Sequence, residues 1–163
     1  MKYKLTDVKI NFMGKTLFQI EAVKCFGDIV KGQKGGFIEK ESNLSQGGNA
    51  WVYGNAEVYG NAKVRGDAKV YGNAKVYGNA WVCGNAEVYG NADYLVIGPI
   101  GSRNDITTFF KTANNDIKVS CGCFTGNIEE FLEKVNETHG NNNYAKEYKT
   151  AVEIAKIHIF GGE

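Results

Sequence analysis

Between Asn49 and Gly90 the chain repeats one six-residue phrase, Asn/Asp-Ala-x-Val-x-Gly, seven times without an insertion. The copies read NAWVYG, NAEVYG, NAKVRG, DAKVYG, NAKVYG, NAWVCG and NAEVYG, and the pattern decays at Asn91-Ala92-Asp93-Tyr94. Side chains of an α-helix return to one face every ~3.6 residues, so a period of six excludes a helix. It suits short straight runs joined by regular corners, the signature of a solenoid. The β-branched valine and the small alanine four residues beyond it are the inward positions. Glycine and the following asparagine or aspartate form the corners, glycine for its backbone freedom and asparagine for bonds to its own turn.

Three phrases make one 18-residue turn, which stacks Val52-Val70-Val88, Val58-Val76 and Val64-Val82 in columns, with Ala50-Ala68-Ala86 beside them. The remaining positions face outward. One face carries Trp51, Lys69 and Glu87 beside Tyr53, Tyr71 and Tyr89. A second carries Glu57, Lys75 and Asp93 beside Tyr59 and Tyr77, with opposite charges meeting, and the third carries Lys63 and Arg65 below Trp81 and Cys83. The tyrosine rows suit either packing between neighbouring strands or contact in a homo-oligomer.

Asn-Ala-x-Val-x-Gly runs resemble the left-handed parallel β-helix of the hexapeptide-repeat proteins, strongly over residues 49–92 and loosely over 37–48. That resemblance implies a mainly β fold with a left-handed parallel β-helix core. It also implies oligomers, often trimeric acyltransferases that use a histidine on a coil or loop as general base. Here the only histidines are His139 and His158, outside the repeat. The layout, GGFIEKESNLS before the repeat and GSRND and VSCGCFTG after it, also resembles small phage- and prophage-encoded proteins.

Around this core the sequence divides into a strand-rich N-terminal cap (1–36), the repeat (37–93) and a small α+β C-terminal domain with two helices (94–163). The cap reads as two or three short strands with a turn at Asn11–Lys15, covering backbone groups that an open end would leave unpaired. In the C-terminal part Tyr94–Ile97, Ile106–Phe110 and Ile117–Cys121 read as strands. Asn127 and Glu130 form a capping box for a helix with Phe131, Leu132 and Val135 on its buried side, and a second helix spans about 144–158. Cys121 and Cys123 fall on the same side of an extended strand.

With 19 basic and 18 acidic residues the chain has no excess charge for duplex nucleic acid. Its first residues, MKYKLTDVKINF, are not a secretory leader, and no stretch is long and apolar enough for a membrane helix. The four cysteines show no framework spacing and read as free thiols, so the expected compartment is the cytoplasm, that of the bacterial host if the chain is phage-encoded.

The candidate site joins Ser102, Arg103, Asn104 and Asp105 to Cys123, Thr125 and Gly126, with Tyr144 and Lys146 adding aromatic and basic groups, and Tyr148, one helical turn beyond Tyr144, suiting either the pocket or the core. Arg103, oriented by Asp105, suits a phosphate or carboxylate, and the helix start after Gly126 offers unpaired N–H groups to an anion. There is no Walker lysine and no dinucleotide fingerprint, and no cofactor is indicated. A Cys121/Cys123/His139 metal set and thiol catalysis by Cys123 with His139 are chemically conceivable but lack a supporting motif. The leading expectation is a non-enzymatic dimer or trimer sequestering a small anionic or nucleotide-like ligand. A structural or protein-interaction module with a protein partner comes second, and an acyltransferase-like enzyme third.

Overall fold

The computed structural model describes residues 1–161, and the chain divides into two compact units, Met1 to Asn91 and Ala92 onward. In the first unit β1 (Tyr3–Phe12) and β2 (Lys15–Ala22) form an antiparallel hairpin. Its turn residues Met13 and Gly14 both have positive φ, 48° and 78°, the geometry that matches the twist of a two-residue hairpin. β3 (Lys34–Ile38) adds antiparallel to β2. Gly35 and Gly36 are required there by close approach. A Cβ on Gly36 would lie 2.5 Å from the Ala56 carbonyl oxygen, and one on Gly35 2.6 Å from that of Val52.

The repeat yields seven two-residue strands: β4 (Trp51–Val52), β5 (Glu57–Val58), β6 (Lys63–Val64), β7 (Lys69–Val70), β8 (Lys75–Val76), β9 (Trp81–Val82) and β10 (Glu87–Val88). Each pairs in parallel with the strand 18 residues away, Trp51 with Lys69 and Lys69 with Glu87, Glu57 with Lys75, Lys63 with Trp81. Every repeat valine and alanine from Ala50 to Val88 is buried, so the inward positions follow the pattern.

The sheets correct the family expectation. β1-β2-β3-β5-β8 make one mixed sheet, β4-β7-β10 and β6-β9 make separate parallel ones, and the fourth sheet is antiparallel. No sheet closes on itself or runs on as a solenoid, so the left-handed parallel β-helix is not shown, and the class supported is mainly β. The physical reason is local: the Gly-Asn corners stop each ladder after two residues, and the longer β3, already paired to β2, draws β5 and β8 into a mixed sheet.

Trp51, expected on an outer face, is completely buried, its ring edge-on to Tyr3 and Phe26 at 6.3 and 5.4 Å. Beside it Lys2, 1% exposed, donates to the carbonyls of Gly47, Gly48 and Ala50 at 3.2, 3.3 and 2.8 Å. Burial lowers its pKa to about 8, with Asp67 opposing the shift. The tyrosine rows stack on themselves, Tyr53 on Tyr71 at 4.4 Å and Tyr71 on Tyr89 at 4.6 Å. Lys75 meets Glu57 at 3.4 Å as the pattern anticipates, but Lys69 pairs with Asp28, in the loop between β2 and β3, at 3.0 Å.

The second unit is an antiparallel meander, β11 (Tyr94–Ile100), β12 (Asp105–Lys111), β13 (Ile117–Cys121) and β14 (Phe124–Asn127), followed by α1 (Ile128–His139) and α2 (Asn143–Phe160). The Asn127/Glu130 capping box forms as expected, with amide–carboxamide and amide–carboxylate bonds of 2.8 and 3.0 Å. Phe109, Val119, Phe131, Tyr148 and Ala155 are central to the core between sheet and helices. The Thr125–Asn127 segment, leading into the helix, is part of the last strand and pairs with Lys118–Ser120. No helix among the described residues is long and apolar enough to cross a membrane.

Candidate functional site

Within the second unit, the β11–β12 turn, the β13–β14 turn and the C-terminal half of α1 enclose a cavity of about 230 Å³. The first turn contributes Ser102, Arg103 and Asp105. It is shaped by Gly101, whose φ of 76° favours glycine and whose backbone lies so close to the Tyr148 hydroxyl that a methyl would overlap it. The Gly101 amide donates to the Glu147 carboxylate at 2.6 Å, which ties the turn to α2. Gly101→Ala is therefore expected to cost about 1–2 kcal/mol, read in a urea melt, with Tyr148→Phe in the same chain recovering part of the loss.

The second turn contributes Cys121, Gly122, Cys123 and Phe124. Cys123 lies in the turn and not in a strand, so the two thiols do not alternate along one extended segment. Cys121 accepts from the Thr107 hydroxyl at 3.3 Å, and Cys121 and Cys123 are not joined by a disulfide. Gly122 packs against the Arg103 guanidinium, where an added Cβ would stand 3.0 Å from a terminal nitrogen.

α1 supplies Phe131, Lys134, Val135, Thr138 and His139, and α2 supplies Tyr148. These helix residues recur at three- and four-residue spacing and thus share one face. Phe131 is perpendicular to Tyr148 at 5.5 Å and tilted to Phe124 at 5.6 Å, and the His139 ring lies over Tyr148 at 5.9 Å. Burial pushes the Tyr148 phenol up to about 12; Cys121 and Glu147 add to the shift and Arg103 opposes it.

No protein-family model matches this chain, and no curated protein matches it.

The expected residues divide between the cavity and its surroundings. Ser102, Arg103, Asp105 and Cys123 line it. Asn104 shares the turn, at φ 48°, with its amide bonded to the Gly101 carbonyl at 3.2 Å. Thr125 pairs with Ser120 in the sheet, and Gly126 is buried where a side chain would meet Glu130 and Phe124. Tyr144 reaches only the His139 ring, at 5.6 Å, and Lys146 lies outside the lining.

Two electrostatic expectations change. The start of α1 is closed by its own capping box and carries Glu129 and Glu130 in its first turn, which repels an anion. The cavity sits toward the other end of the helix. Asp105 does not orient Arg103; its carboxylate accepts from the Ile106 amide at 2.7 Å, and among the described residues no carboxylate reaches Arg103 within salt-bridge distance. The sequence reading missed Lys134 and Thr138 as site residues, whereas Tyr148, weighed beside Tyr144 and Lys146, lines the cavity. The signal was present, since Lys134 and Thr138 follow Phe131 at helical spacing. Among the described residues no group of three or more His, Cys, Asp or Glu side chains is arranged to hold a metal ion.

Proposed function

We propose that the C-terminal unit holds a small anionic ligand in this cavity and releases it unchanged, as part of an oligomeric binding protein. The observation that carries this reading is the Arg103 guanidinium, exposed at the cavity with no carboxylate partner among the described residues. Lys134 adds a second exposed cation to the lining, against the single carboxylate of Asp105. Guanidinium and ammonium donors without an internal acceptor are suited to a carboxylate or phosphate. No hydrogen bond joins either cavity thiol to His139 among the described residues, so the thiol-catalysis alternative gains no support from the geometry.

Titrating acetate and inorganic phosphate into isotope-labelled full-length protein should shift the backbone amides of Arg103, Gly122 and Thr138 together in the NMR spectrum. Loss of one charge-assisted contact in Arg103→Ala should weaken that response about tenfold. Equal responses in both proteins would remove the basis of the reading.

An interaction module is the second reading, supported by the outer members of the tyrosine stacks, Tyr77 and Tyr89, which are 49% and 58% exposed. Complete indifference to anions, together with a concentration-dependent mass lowered by Tyr77→Ser and Tyr89→Ser, would favour it.

A further inference from the structure

We infer that the ligand of this cavity is a small aromatic carboxylate, bound with its ring against Phe124, Phe131 and Tyr148 and its carboxylate at Arg103 and Lys134. This rests on the anion-binding reading above and narrows it to one chemical class.

Size limits the ligand first. A cavity of about 230 Å³ falls below the roughly 300 Å³ at which pockets for drug-sized molecules begin. That is room for one ring and its carboxylate. A nucleotide, with base, sugar and phosphate, would extend beyond this space.

The distribution of chemistry limits it further. Phe124, half-buried, lines the cavity together with the nearly buried Phe131 and Tyr148, so one of its walls is aromatic. Arg103 and Lys134 are exposed and belong to its outer part. A bare acetate or phosphate ion would satisfy the cations and make no use of the aromatic wall. An uncharged ring would do the reverse. A ring carrying a carboxylate satisfies both, and ring edges and faces at this separation attract beyond simple burial. The lone carboxylate of the lining, Asp105, is already engaged by the Ile106 amide, so it does not cancel the guanidinium by direct pairing.

Calorimetric titration of the full chain with benzoate, benzamide, acetate and inorganic phosphate separates the two contributions. Benzoate should bind about tenfold more tightly than acetate, phosphate or benzamide. Arg103→Ala should lower benzoate to the benzamide level, and the conservative Phe124→Leu should weaken benzoate while leaving acetate unchanged. Acetate or phosphate binding as tightly as benzoate would overturn the aromatic inference and leave the anion reading standing. Benzamide equalling benzoate would overturn the role of the carboxylate, and with it both proposals. Failure of all four to bind would also overturn both.

Discussion

Val70→Asp is expected to abolish the cooperative unfolding of the N-terminal unit at neutral pH. Val70 is completely buried and central in its ladder, with Val52 on one side and Val88 on the other. A carboxyl group placed there has no cation to meet. Holding it protonated at pH 7, about three units above its ordinary pKa, costs roughly 4 kcal/mol. Lost methyl burial adds about 1 kcal/mol. The sum is comparable with the whole stability of many domains, about 5–15 kcal/mol. Both tryptophans, Trp51 and Trp81, lie in this unit, so intrinsic fluorescence during a thermal melt reports on it selectively. The pH dependence has a definite sign. A carboxyl whose pKa is raised in the folded state is destabilising above its unfolded value, so the deficit should shrink as pH falls toward about 4. A deficit that stayed constant with pH would point to lost packing instead.

Phe131→Ala should be the corresponding lesion in the C-terminal unit, costing about 3–5 kcal/mol. Its ring is the hub of three aromatic contacts, with Phe109 at 6.2 Å, Tyr148 at 5.5 Å and Phe124 at 5.6 Å. Truncation leaves a void between sheet and helix that rigid neighbours fill only in part. Both α-helices of the described residues belong to this unit. Urea unfolding followed by helical circular dichroism therefore isolates the effect, while the tryptophan signal should keep its midpoint. Phe131→Leu keeps most of the volume and should cost less than half as much. A loss below about 1 kcal/mol for the alanine variant would show that the aromatic cluster relaxes around the gap.

What could be read in the sequence follows the range of the forces involved. The burial of the repeat valines and alanines was legible because no other apolar residue recurs at those positions, and the 18-residue register followed from the same count. Trp51 shows where that reasoning stops. It occupies the same outward position as Lys69 and Glu87, yet it is buried because Tyr3 and Phe26, distant in sequence, fold over it. The likeness to the hexapeptide-repeat fold failed at a similar level. A local phrase dictates corners and short runs, whereas the division into separate sheets depends on β3 joining β2 as well as β5. At the site, Arg103 and Cys123 were found because turns concentrate exposed polar groups. Lys134 and Thr138 were missed because a helix face had to be placed against a turn before they counted as neighbours. Of the two tyrosines one helical turn apart, Tyr148 lines the cavity and Tyr144 does not, a difference that the spacing alone leaves open.

The register between ladders also governs how a gene encoding this protein can change in length. Deleting residues 67–84 removes one 18-residue step, so Glu87 would meet Trp51 where Lys69 now stands, and each later strand would keep its own ladder. Deleting a single phrase, residues 67–72, leaves the written pattern intact but brings Lys75 opposite Trp51 and strips Glu57 of its cation. Replication slippage within the repetitive DNA is thus filtered by threes: gains and losses of three phrases keep each surviving strand in its own ladder, and single-phrase events move strands from one ladder to another.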